Sequence, residues 1–188
     1  MNPIVSAPQD HGTQKSPAQL DPIHDELHRG EVLARKPGGT VWACRDVWGH
    51  RLVARSLRPQ SRRLDAVRGE WLERVGTLQT LGAPCLVGVR GAWLEGDELL
   101  VVEQRCDFRF SDFLGAPGCA PSVWLAPVAR VVLEGLERAH RAGLLHLNVH
   151  PGHVVSSVAF EGLDPLALPP GSLRLADLAV GALLLRSR

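Results

Sequence analysis

His146, Asn148, His150 and His153 fall within the single short run Leu144-Leu145-His146-Leu147-Asn148-Val149-His150-Pro151-Gly152-His153-Val154-Val155, and Asp177 follows further along the chain. Imidazoles move protons near neutral pH and bind transition metals. A carboxamide donates and accepts hydrogen bonds but has no basic site. On one helix, the spacing of the three histidines would align them as zinc ligands. Pro151 and Gly152 argue instead for a loop, because proline lacks an N–H and restrains the residue before it.

The flanking elements must position that loop. Before it, Leu125, Val128, Val132, Leu136 and Ala139 mark one face of a helix over Val123–Ala142, which Gly143 ends. After it, Val154-Val155 and Ser172-Leu173-Arg174-Leu175 read as short strands. Between those strands, residues 156–171 carry Pro165, Pro169 and Pro170 and read as an exposed loop. Phe108–Leu114 reads as a short helix. The first half alternates strands and turns: Val32-Leu33-Ala34, then Thr40-Val41-Trp42-Ala43-Cys44, then Leu52-Val53-Ala54. A helix over Leu64–Leu81 has Leu64, Val67, Trp71, Leu72, Val75, Leu78 and Leu81 at helical steps. Leu86-Val87-Gly88-Val89 and Leu99-Leu100-Val101-Val102 read as two more strands.

A chain of 188 residues with 45% hydrophobic residues and a net charge of +1 suits one globular unit. So small a charge gives no reason to expect a nucleic-acid or membrane partner. The apolar run Ala179–Leu185 is far shorter than the roughly 20 residues that span a bilayer. No signal-peptide core is visible, so a cytoplasmic location is expected. Cys44, Cys85, Cys106 and Cys119 lack C-x-x-C spacing, which points to reduced thiols rather than zinc ligands. Residues 1–24, rich in Pro, Gln, Ser and His, read as a flexible arm. Arg58, Arg62, Arg63 and Arg68 cluster around the start of the first helix as a charged face.

Taken with Leu133–His146, the histidine loop resembles the catalytic loop of the protein kinases, H-R-D-L-x-x-x-N. His146 and Pro151 match; Leu147, Asn148, His150 and His153 replace the arginine, the aspartate base, a lysine and the metal-binding asparagine. Asp177-Leu178-Ala179 stands where D-F-G belongs. In the glycine loop, Ala34, Lys36 and Gly39 occupy the three glycine positions, and only Gly39 is retained. Val53-Ala54-Arg55-Ser56 aligns with V-A-I-K and puts Ser56 at the lysine position, while alternation along the strand sends Arg55 to the other face. The glutamate of the helix falls on Arg74. Glu103-Gln104-Arg105-Cys106 resembles the hinge, and Val41, Ala54 and Val155 the apolar positions around a base.

The resemblance covers roughly residues 30–181. It implies an α+β fold: a five-stranded antiparallel small lobe with one helix and the hinge over residues 25–105, then a truncated, mainly helical large lobe over 106–188. An active enzyme needs a base, phosphate neutralisation and metal ligands, and Asn148 cannot serve as the base. A metal site would rest on His153 and Asp177. The preferred reading is a pseudokinase, a kinase-like module that binds and regulates without catalysis. It needs no cofactor, with ATP and magnesium entering only if the enzyme reading holds. Its expected partner is a protein, either an active kinase or a second copy of itself.

Overall fold

The computed structural model describes residues 27–36, 39–58, 64–117 and 120–178. It is a mixed α+β structure. Strands β1 (His28–Lys36), β2 (Gly39–Arg45), β3 (Arg51–Leu57), β4 (Val89–Glu95) and β5 (Glu98–Gln104) form one antiparallel sheet in the order β1-β2-β3-β5-β4. Local chemistry sets the turns. Between β2 and β3, Asp46 Oδ1 accepts from the backbone N–H groups of Trp48 and His50, and Gly49 takes a left-handed φ of 83°. The Arg29–Glu95 ion pair joins β1 to β4, the two outermost strands, so the sheet is curled.

Helix α1 (Leu64–Leu81) lies against β4, and its last turns pack Val75, Leu78 and Leu81 into the main core with Ala92, Leu99 and Val101. The strand expected to begin at Leu86 begins at Val89. Leu86 makes instead a single parallel bridge to Leu175. Around that bridge, Val87 N–H donates to Leu175 C=O, and Leu175 N–H donates to Cys85 C=O.

The second half holds β6 (Phe108–Arg109), α2 (Phe110–Leu114), α3 (Pro121–Arg141), β7 (Val154–Ser156) and β8 (Arg174–Leu175), with a small antiparallel sheet ordered β6-β7-β8. The short helix expected from Phe108 starts at Phe110, because Phe108 and Arg109 pair with β7. Helix α3 starts two residues before the expected Val123, with Pro121 at the first-turn position that tolerates a missing N–H. Gly143, at a φ of 72°, ends it, and Leu144 N–H reaches back to Ala139 C=O. Where α3 crosses Leu86 and Leu175, a Cβ on Gly135 would stand 3.0 and 3.2 Å from their methyl carbons, so glycine permits the close approach.

The loop over 156–171 is not simply exposed. A 3-10 turn at Phe160–Gly162 buries Phe160 against Phe110, Phe113 and Trp124. Cys44, Cys85 and Cys106 are free thiols. No described helix is long and apolar enough to cross a membrane. The arm over 1–24, Arg62, Arg63, Cys119, the run Ala179–Leu185 and the side chains of Lys36 and Arg68 lie outside what is described.

Candidate functional site

Between the two sheets lies a cavity of about 500 Å³, and the charged residues inside it come from four parts of the chain. Strand β3 supplies the first. Its residues alternate: Leu52, Ala54 and Ser56 are buried, while Val53 and Arg55 face the cavity. This corrects two expectations from the sequence. Ser56 is not at the cavity; only 2% exposed, it accepts a hydrogen bond from Thr40 N–H at 3.0 Å. Ala54, fully buried, belongs to a core cluster with Cys44, Leu52 and Val102. Arg55 and Val53 hold the places assigned to them, one residue back along the strand.

Arg55 meets two carboxylates. Its guanidinium lies 2.6 Å from Asp177 Oδ1 and 3.7 Å from Glu103 Oε2. Glu103, on β5 opposite Val53, is almost wholly buried. Burial pushes its carboxyl above the ordinary range; Arg55 opposes that shift and Asp177 reinforces it.

Asp177 follows β8 at a left-handed φ of 65°. Its other oxygen, Oδ2, lies 2.9 Å from His153 Nε2. His153 Nδ1 is in turn 2.7 Å from Asn148 C=O, so both ring nitrogens face acceptors. The two carboxylate oxygens of Asp177 therefore face an arginine and a histidine.

The loop that carries His153 is pinned from beneath. His146, 1% exposed, places Nε2 2.8 Å from Ala176 C=O, the carbonyl just before Asp177. Since a carbonyl only accepts, that nitrogen carries the proton, and Nδ1 accepts from Asn148 N–H at 3.4 Å. Burial holds the His146 ring below its usual pKa, with the Ala176 bond opposing. Leu147, between these contacts, is forced to a φ of 60°, a conformation costly for a bulky side chain. His150 Nδ1 accepts from Gly152 N–H at 3.0 Å, and its ring lies 3.7 Å from that of His153. A Cβ on Gly152 would come within 2.8 Å of the His150 ring, so any larger residue there would push that ring aside.

The cavity thus gathers Val41, Glu103, Arg105, His150, His153, Val155 and Asp177 of the residues singled out by sequence. It does not gather Asn148, which contributes only a backbone carbonyl and amide, nor Arg74 on α1. Gly39 starts β2 and also lies outside the lining. A Cβ there would fall 1.8 Å from Ser56 C=O, so it serves strand packing. Asp107, held by Arg51 and Arg105, and Arg109 complete the rim. They sit in a polar stretch without periodicity, and sequence reasoning passed over them.

His153 and Asp177 come together, but they contact one another, and no group of three or more His, Cys, Asp or Glu side chains suited to a metal exists among the described residues. The arrangement as it stands is a neutralised ionic cluster at the end of an apolar-walled cavity. No protein-family model matches the chain, and no curated protein matches it.

Proposed function

We propose that this chain is a kinase-like domain that binds and regulates and does not transfer phosphate. The observation that supports this most is the double engagement of Asp177, whose two oxygens face Arg55 and His153 at 2.6 and 2.9 Å. In the resemblance, this carboxylate is the one metal-binding acid retained. A divalent ion would have to displace two protein partners to reach it. Asn148 leaves the loop without a carboxylate base, and losing a positioned base costs about 10²–10⁴ in rate. The five-stranded antiparallel sheet, the short second sheet and the cavity between them agree with the kinase-like reading.

Binding to a protein partner is the role that remains. Leu145, Leu147 and Val149 stand exposed on the histidine loop, and Leu125 and Leu133 on α3, which suits docking to an active kinase or to a second copy. One observation favours a divergent enzyme instead: Arg55 brings a cation into the cavity where Ser56 would have brought none.

Phosphate transfer to a generic protein substrate, measured with magnesium and ATP, separates the two. The expected result is no transfer and no magnesium-dependent rise in melting temperature. Transfer that disappears in Asp177→Ala would establish the enzyme.

A further inference from the structure

We propose that helix α3 is the surface through which two copies of this chain pair, the helices crossing face to face about a two-fold axis at Ala129. The inference deepens the reading above, from which it takes only that a protein partner docks on the chain. Helix α3 has two apolar sides. One carries Trp124, Val128, Val132 and Ala139 into the core clusters. About a third of a turn away, Leu125, Ala126, Ala129 and Leu133 line a second side, and all four are exposed. Leu125 is 68% and Leu133 66% exposed, so the two largest apolar groups on that side are the least covered. No charge interrupts it, because Arg130, Glu134, Glu137 and Arg141 project from the remaining third of the helix.

The symmetry of this side specifies its partner. Leu125 and Leu133 stand equally far before and after Ala129, so the order leucine, alanine, leucine reads the same in both directions. In an antiparallel crossing about Ala129, Leu125 of each copy meets Leu133 of the other, and the two alanines meet at the axis, where their small size lets the backbones approach. Residues four apart form the ridge that interdigitates in the commonest helix crossing, at about −50°. A ridge without charges offers an acidic or basic partner nothing to answer, whereas a second identical ridge matches it in chemistry and spacing. The histidine loop lacks this property, since Leu145, Leu147 and Val149 alternate there with His146, Asn148 and His150. So short a ridge falls well below the roughly 20–30 residues a side of a standard interface, so the pair is weak, with a dissociation constant on the order of 100 µM.

Sedimentation equilibrium of the full chain under reducing conditions, from about 5 to 500 µM, should show a mass that rises toward that of two chains. Leu133→Glu, which puts a carboxylate on the ridge of each copy, should weaken pairing by about tenfold or more. Leu125→Glu repeats the test should that variant fail to fold. Leu166→Glu, at a side chain 90% exposed in the loop over 156–171, should leave pairing unchanged. Under mild oxidation Ala129→Cys should form a covalent dimer, because the two cysteines meet at the axis. Leu133→Cys alone should not, since its two copies lie about 12 Å apart along the helices, beyond disulfide reach. The parent chain, with its own thiols at Cys44, Cys85 and Cys106, sets the background. A strictly monomeric mass at about 500 µM overturns the inference. So does pairing that Leu133→Glu leaves intact or that Leu166→Glu weakens as much, and so does cross-linking as strong at 133 as at 129. A monomer that transfers no phosphate removes this inference and leaves the proposed function standing with another protein as partner. A dimer that transfers phosphate keeps the inference and removes that function.

Discussion

Two side-chain clusters border the small second sheet, one holding Phe110 directly after β6 and the other His153 directly before β7. One is the aromatic cluster of Phe110, Phe113, Trp124 and Phe160, with ring centroids 5.3 to 6.2 Å apart. The other is the ionic cluster of Arg55, Glu103, His153 and Asp177. The rings meet at several tilts, each contact adding about 0.5–1.5 kcal/mol beyond burial itself. The charges have specified partners, and desolvation offsets much of what their attraction provides. The aromatic cluster therefore carries stability, whereas the ionic cluster fixes the shape of the cavity at little net gain.

The largest effect expected from this contrast is at Phe160. Phe160→Ala should cost about 3–5 kcal/mol in urea unfolding. A loss below 1 kcal/mol would mean that the loop is not anchored there. Asp177→Ala should cost less, about 1–3 kcal/mol, because Arg55 keeps Glu103 while losing its nearer partner. Replacing the charges together, as Arg55→Met, Glu103→Leu and Asp177→Asn, the asparagine tolerating the left-handed φ there, should return stability to within about 1 kcal/mol of the parent. If the triple variant is much worse than Asp177→Ala, the ionic cluster is itself a source of stability and the contrast fails.

Stability against pH gives a smaller test. Glu103 is shifted upward, so the folded state holds its proton more tightly than the unfolded chain. Its contribution falls as pH rises from the unfolded value of about 4.3 through the folded one. His146 is shifted downward, so its contribution is complete above about 6.5 and is lost as pH falls below that value. Glu103→Gln should remove the first slope and leave the second, as read from unfolding at a series of pH values. The smallest effect is at Leu147: Leu147→Gly should relieve the left-handed strain and change stability by about 0.5–1 kcal/mol in the favourable direction. A loss of similar size would show that its side chain packs in solution.

Regular patterns made part of this structure legible in the sequence. The helical stripe Val128, Val132, Leu136 and Ala139 marks α3, and Gly143 marks its end, because both signals are local; Leu125, expected on the same face, is exposed, and Trp124 packs there instead. Four of the five strands of the first half follow from alternation and turn residues in the same way, while β4 shares only Val89 with the run expected over Leu86–Val89. Strand β3 shows what alternation leaves open. It divides Val53 and Arg55 from Ala54 and Ser56 but does not say which pair faces the cavity, and that depends on elements distant in sequence. Matching letters placed Ser56 inside; packing against Val102 and Cys44 puts its face in the core. Phe160 was illegible for a related reason. A lone aromatic among prolines has no period, and only Trp124 and the two phenylalanines of α2 give it a place.

Leu175 has a wider consequence. Its backbone is bonded to Cys85 and Val87 on one side, while β8 pairs with β7 on the other. The second half of the chain is thereby stitched into the first by main-chain bonds that no side-chain replacement removes. Turning one half against the other would have to break those bonds. The two halves are accordingly expected to unfold together, in one melting transition.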